Sequence, residues 1–79
     1  MTRQDALRFL EGTLDLQPHT LTGREALRDL PAWDSLSALV FIAEVDKQLG
    51  LPLPGKRVAA CQTVEELLDL LGAAAGRAA

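Results

Sequence analysis

Apolar residues recur at three- and four-residue spacing in three separate segments of this 79-residue chain, and no segment alternates apolar and polar residues with period two. This spacing puts the apolar side chains of each segment on one face of an α-helix. The first segment carries Ala6, Leu7, Leu10 and Leu14, the second Ala38, Phe41, Ile42, Val45 and Leu49, and the third Val64, Leu67, Leu68 and Leu71. Such helices bury their apolar faces against one another, so the chain is predicted to be all-α, a small four-helix bundle of three longer helices and one short helix.

Local signals predict where the first two long helices begin and end. Thr2, followed by Asp5, can cap the first helix. The second helix is predicted over residues 35–49, with Gly50 as its C-terminal stop. Between the two helices, residues 17–32 contain two prolines and a glycine and form a long connection, in which residues 24–30 are expected to make a brief helical turn.

The second half of the chain shows a short helix and a long one. Prolines at positions 52 and 54 break regular structure, and the short helix is predicted over residues 56–61. Thr63 and Glu66 have the spacing of a capping box that opens the last helix. Gly72 is expected to end that helix and residues 73–79 to form a frayed tail, so that a single domain, residues 1–79, has its core at about residues 5–72.

Composition excludes several classes of function. A net charge of −3 disagrees with nucleic-acid binding, which needs a basic surface. One cysteine and one histidine cannot supply a disulfide framework or a zinc site, so we expect no metal and a reducing, cytoplasmic setting. No apolar run approaches about 20 residues, and the N-terminus lacks the apolar segment of a signal peptide, so no membrane association is expected.

The tetrapeptide Trp33-Asp34-Ser35-Leu36 lies where the long connection meets the second helix. It presents a hydroxyl at a helix start with no general base beside it, and serine without such a base is a poor nucleophile. A triad with His19 would require the connection to fold back and is not expected. We therefore predict no catalytic residue and no enzyme activity, but a hydroxyl that another enzyme can modify.

Asp-Ser-Leu at the start of the second helix of a chain of about eighty residues resembles the acyl carrier protein family. The order of long helix, long loop, long helix, short helix and helix is similar to that family's layout as well. The resemblance implies a bundle of the acyl-carrier type in which Ser35 carries covalent 4′-phosphopantetheine, taken from coenzyme A by a phosphopantetheinyl transferase. It also implies that Asp34 and Leu36 help to present the serine.

The second helix has a second apolar face that the bundle core does not account for. At about 100° per residue, this face contains Leu36, Leu39, Val40 and Ala43, with Lys47 beside them. Leu39 is expected to be covered by the third helix and the connection. The candidate partner-binding residues are Trp33, Leu36, Val40, Ala43 and Lys47, although Trp33 is expected above all to pack the connection onto the bundle.

Carriers of fatty acid synthesis look strongly acidic along this helix and the next, and this chain departs from that pattern. Glu44 and Asp46 are the only acidic residues of the second helix after Asp34, and Lys56 and Arg57 make the third helix basic. We therefore expect a monomeric carrier of a specialised-metabolite pathway, which shuttles thioester-bound intermediates between a loading enzyme and downstream enzymes. Two alternatives stay open: an aminoacyl or peptidyl carrier of a nonribosomal pathway, and a helical interaction module that is never modified.

Overall fold

The structure, a computed structural model, describes the backbone of residues 2–78 and the side chains of residues 2–75. The elements in chain order are α1 (Arg3–Thr13), the 3-10 helix η1 (Leu27–Asp29), α2 (Ser35–Leu49), α3 (Gly55–Ala60) and α4 (Val64–Ala78). These residues contain no strand, and their only extended pairing is an isolated antiparallel bridge between Ala26 and Thr63. The predicted all-α bundle with one short helix is confirmed.

The predicted caps of α1 and α2 are present. The Asp5 amide donates to the Thr2 hydroxyl and the Thr2 amide to the Asp5 carboxylate, each at 3.1 Å. α2 covers the predicted residues and ends at Gly50, whose φ of 66° lies in the left-handed region. There the Gly50 amide donates to the carbonyl of Asp46 at 3.0 Å, which satisfies a carbonyl at the helix end.

The boundaries of α3 and α4 differ from the prediction. α3 begins one residue early, at Gly55, and Cys61 leaves the helical conformation at ψ 137°. α4 does not end at Gly72 but continues to Ala78, because the alanines that follow have the highest helix propensity and offset a glycine cost of about 1 kcal/mol. Residues 73–78 are therefore helical instead of a frayed tail, and Ala79 lies outside the described residues.

The capping box predicted for α4 is half formed. The Glu66 amide donates to the Thr63 hydroxyl at 3.2 Å, but the return bond from the Thr63 amide to the Glu66 carboxylate is absent among the described residues. The start of α4 is joined to the connection instead. The Val64 amide donates to the carbonyl of Glu25 at 3.0 Å, and the Leu27 amide donates to the carbonyl of Gln62 at 2.8 Å.

Phe41 of α2 lies at the centre of the bundle with no exposed surface. Its ring makes edge-to-face contacts with Phe9 of α1, at 6.4 Å between ring centroids, and with Trp33, at 6.0 Å. The residues predicted to surround it are buried as well: Leu7, Leu10, Leu67 and Leu71. Ile42, also predicted in the core, is half-buried at its edge. The predicted rotation of α2 about its axis is therefore right.

A buried carboxylate fastens the long connection to α1. Glu11 is 1% exposed, and its oxygens accept hydrogen bonds from the backbone amides of Leu21 at 2.8 Å and His19 at 3.2 Å. Arg8 pairs with the same carboxylate at 2.5 Å and 3.1 Å. The Arg8 guanidinium can only donate, so the His19 Nδ1 atom, 2.8 Å away, accepts from it.

These hydrogen bonds decide the ionisation of Glu11. Burial acts to raise the pKa of its carboxyl, but the donors from Leu21, Arg8 and His19 favour the charged form more strongly and hold that pKa below its ordinary value. The charged Glu11 is thus part of the folded state near neutral pH.

Candidate functional site

Asp34 caps α2. It has an extended backbone, and its Oδ1 atom accepts from the Ser37 amide at 2.8 Å and from the Ser37 hydroxyl at 2.9 Å. These two hydrogen bonds lower the pKa of the exposed Asp34 carboxyl. Because Asp34 satisfies the helix start, Ser35 is not needed as a cap.

The two serines of the first turn differ in availability. The Ser37 hydroxyl is half-buried and bonded to both the Asp34 carboxylate and the carbonyl of Ala32. Ser35 is exposed, and its hydroxyl has no hydrogen-bond partner among residues 2–75. Of the two hydroxyls, only that of Ser35 can react without breaking an existing hydrogen bond.

The position of Ser35 suits a negatively charged substituent. The residue is the first of α2, where amide groups and the helix dipole together stabilise an anion. Asp34 opposes this effect because its own carboxylate is charged. The exposed side chain leaves room outside the protein for a bulky group, so a phosphodiester-linked arm fits here without repacking the core.

An apolar surface extends along α2 from this serine. We define the α2 exposed face as Leu36, Leu39, Val40, Ala43 and Lys47, all of which are exposed. The exposed fraction is 70% for Leu36, 64% for Leu39 and 41% for Val40. The expectation that α3 and the connection cover Leu39 is therefore wrong, because α3 is only six residues long and buries only Val58.

Trp33 packs onto the bundle, as expected for the residue that ends the connection. It is half-buried, its ring contacts Phe41, and its amide donates to the carbonyl of Leu30 at 3.0 Å. The indole N–H has no hydrogen-bond acceptor within the described part of the chain. The outer part of this side chain remains available to a ligand or a partner.

Other reactive side chains are engaged away from Ser35. His19 contacts Arg8 and Glu11, so no Ser-His-Asp arrangement forms. The half-buried Cys61 donates to the carbonyl of Arg57 at 3.3 Å, and burial, aided by the nearby Glu66 and Asp69 carboxylates, raises the pKa of its thiol. A half-buried thiol with a raised pKa is a poor nucleophile.

The described residues contain no group of three or more histidine, cysteine or acidic side chains placed to hold a metal ion. Their helices include none with the length and apolar character required to cross a bilayer.

Comparison with known proteins gives two matches. A family model described as "Phosphopantetheine attachment site" matches residues 7–71, which is most of the chain. The fold is similar to the solution structure of a holo acyl carrier protein from Geobacter metallireducens, with a TM-score of 0.80 and 25% sequence identity over 99% of this chain and 91% of that one. No curated protein matches the sequence.

Proposed function

The chain belongs to the phosphopantetheine attachment site family, and we propose that it acts as an acyl carrier whose Ser35 bears the prosthetic arm. Proteins of this kind are carriers and not catalysts, and they hold 4′-phosphopantetheine covalently. The arm supplies a thiol on which cargo is held as a thioester. The polypeptide presents that thiol at successive enzymes and so raises its local concentration there.

The main support for the proposal is the Ser35 hydroxyl, which has no hydrogen-bond partner among residues 2–75. It lies at a helix start that Asp34 caps. Asp34 and Ser37 complete the hydrogen bonding of the first turn between them, so modification of Ser35 leaves that turn intact. In the transfer, the Ser35 oxygen bonds to the phosphorus that carries pantetheine, and the bridging phosphate bond of coenzyme A breaks. Adenosine 3′,5′-bisphosphate leaves, and a base of the transferase takes the serine proton.

The α2 exposed face is the proposed surface for the transferase, the loading enzyme and the downstream enzymes. Three leucine and valine side chains are exposed on it, and large exposed apolar patches mark interaction sites. Leu36 lies next to the arm, so an enzyme that grips this face has the attachment point within its contact area. Trp33 borders the same helix start and is included in the proposed contact.

The charge pattern supports binding of the partner enzymes mainly through apolar contacts. Of the acidic residues in the body of α2, Glu44 bonds to Gln48 and only Asp46 is exposed and unpaired within the described residues. Exposed Lys56 and Arg57 make α3 basic. Exposed charge pairs contribute only about 0–1 kcal/mol each. We propose on this basis a role in a specialised-metabolite pathway, with an acyl or aminoacyl cargo. The proposed location, which the charge pattern does not address, is the cytoplasm.

Intact-mass measurement tests the attachment directly. The protein is incubated with coenzyme A and a broad-specificity phosphopantetheinyl transferase, and it should gain the mass of one phosphopantetheine. Ser35→Ala should gain nothing, whereas Ser37→Ala, the matched control two residues away, should still be modified. Modification of Ser35→Ala, or no modification of the wild type by any transferase tried, contradicts the proposal.

A further inference from the structure

A groove of about 510 Å³ opens next to Trp33, between η1 and the α3–α4 junction. We call it the Trp33 groove; its lining residues are Ala26, Leu27, Arg28, Trp33, Cys61, Gln62 and Thr63. The backbone bonds from the Leu27 amide to Gln62 and from the Val64 amide to Glu25 join its two sides. The groove is therefore held open by the fold and needs no rearrangement to receive a ligand.

The lining offers solvent-accessible donors and contains no carboxylate. The Arg28 guanidinium makes no ion pair or hydrogen bond with the described residues, and neither the Gln62 side-chain amide nor the Trp33 indole N–H has an acceptor there. Glu66 and Asp69 lie near Cys61 but outside the lining, and Arg28 supplies the only charge in the lining of the groove. Its chemistry suits a ligand with a carboxylate and a short apolar part.

The centre of the bundle is filled by side chains. Phe41, Val45 and Leu67 occupy its centre with no exposed surface. Phe9 and Trp33 close on the Phe41 ring from two directions. A cargo held inside the bundle would have to displace this aromatic contact, whereas the Trp33 groove is already open.

We propose that the Trp33 groove receives the cargo of the carrier and selects a short acyl group with a terminal carboxylate, the half-thioester of a dicarboxylic acid. This inference rests on the proposed attachment of the arm to Ser35, two residues from Trp33. The acyl chain lies against the indole ring and Leu27, and the carboxylate pairs with Arg28. Because the cargo is tethered, even a weak contact is occupied, since the local concentration is high.

Two cargoes of equal length distinguish the effect of the terminal carboxylate from that of the acyl chain. Succinyl-coenzyme A and butyryl-coenzyme A are used with a broad-specificity transferase to load the arm in one step, and intact mass verifies each product. Nitrogen-15 NMR then follows the side-chain signals of Arg28, Trp33 and Gln62. The succinyl form should displace all three signals relative to the protein with the bare arm. The butyryl form should leave the Arg28 signal in place.

Variants test the role of the guanidinium. In Arg28→Gln the succinyl form should no longer displace the Trp33 and Gln62 signals more than the butyryl form does. Arg24→Gln, an exposed arginine of the same connection outside the groove, should behave as wild type.

Each other outcome overturns the proposal. Equal displacement by succinyl and butyryl refutes the carboxylate selectivity, and an unchanged response in Arg28→Gln refutes the pairing. Displacement of core signals such as Phe41 and Val45 by either cargo would place the cargo inside the bundle. A chain that never gains the mass of an arm rejects the attachment itself, which the mass measurement distinguishes from a loaded arm that ignores the groove.

Discussion

Replacing Glu11 with glutamine should destabilise this protein more than the loss of one surface charge would suggest. The Glu11 Oε1 atom accepts from Arg8 and His19, and Oε2 accepts from Leu21 and Arg8. A glutamine has one carbonyl oxygen and one NH₂ group. In either orientation the NH₂ group faces one backbone amide and one guanidinium N–H, so two donors lose their acceptor.

The magnitude follows from burial. A hydrogen bond to a charged group contributes about 1.5–3 kcal/mol, and removal of one partner leaves the other desolvated. The Arg8 side chain is 30% exposed and can regain water, whereas the Leu21 amide is buried. We therefore expect Glu11→Gln to cost ~2–3 kcal/mol. For a domain whose total stability is roughly 4–12 kcal/mol, the melting temperature should fall by about 8–24 °C.

Urea unfolding followed by circular dichroism measures this difference. The matched control is Glu66→Gln, which neutralises an exposed glutamate whose side chain makes no hydrogen bond to the described residues. It should stay within ~0.5 kcal/mol of wild type. Hydrogen exchange of the Leu21 amide should accelerate in Glu11→Gln and not in the control, because that amide loses its acceptor.

The pH dependence of the free energy of unfolding provides a second test of the same contact. The pKa of Glu11 is lower in the folded state, so its stabilisation is present above the unfolded pKa and disappears as the pH falls through the folded pKa. Glutamine does not titrate, so wild type and Glu11→Gln should converge in acid. A Glu11→Gln protein as stable as wild type at pH 7, or a difference that grows towards acid, would refute this account of the carboxylate.

Three further predictions concern α2. Ser35→Ala should leave the free energy of unfolding within ~0.5 kcal/mol of wild type while abolishing arm attachment, because Asp34 caps the helix; a large loss of stability would show that the hydroxyl is structural. Phe41→Ala should cost ~3–5 kcal/mol in urea unfolding, and an unchanged midpoint would mean that the ring is not at the centre of the core. Val40→Glu should slow cargo loading more than Val40→Ala, which should itself weaken docking by ~1–3 kcal/mol, and the loading rate should change little with salt. Glu44→Gln should have a small effect; a steep salt dependence with indifference to Val40→Glu would show that charge steers docking instead.

The sequence predicts α2 best because three independent signals agree there. Asp34 supplies the cap, the apolar period gives the buried face, and Gly50 supplies the stop. The end of α4 is predicted less well, since Gly72 is followed by residues that favour helix and its local signal is overridden. The exposure of Leu39 depends on how far α3 extends over α2, which no local pattern contains.

The contact between Glu11 and the connection was missed, although a signal for it exists. Glu11 is four residues after Leu7 and three before Leu14, so helical spacing puts it within the buried stripe of α1. A carboxylate in such a stripe must find donors. The sequence does not say which ones, because the amides of His19 and Leu21 reach it only through the path of the connection.

The hydrogen bonds that hold the connection in place also limit where the thiol of the arm can be when an enzyme binds. The segment before Ser35 is tied to α1 through Glu11, to the first residue of α4 through Glu25 and to Gln62 through Leu27. It ends in the hydrogen bonds around Asp34. These bonds therefore hold the attachment point of the arm, the Ser35 oxygen, in a fixed position. The volume that the tethered thiol can sample is set by the length of the arm and not by motion of the polypeptide, so loosening the Glu11 contact should dilute the cargo at a docked active site without altering a single residue of the docking surface.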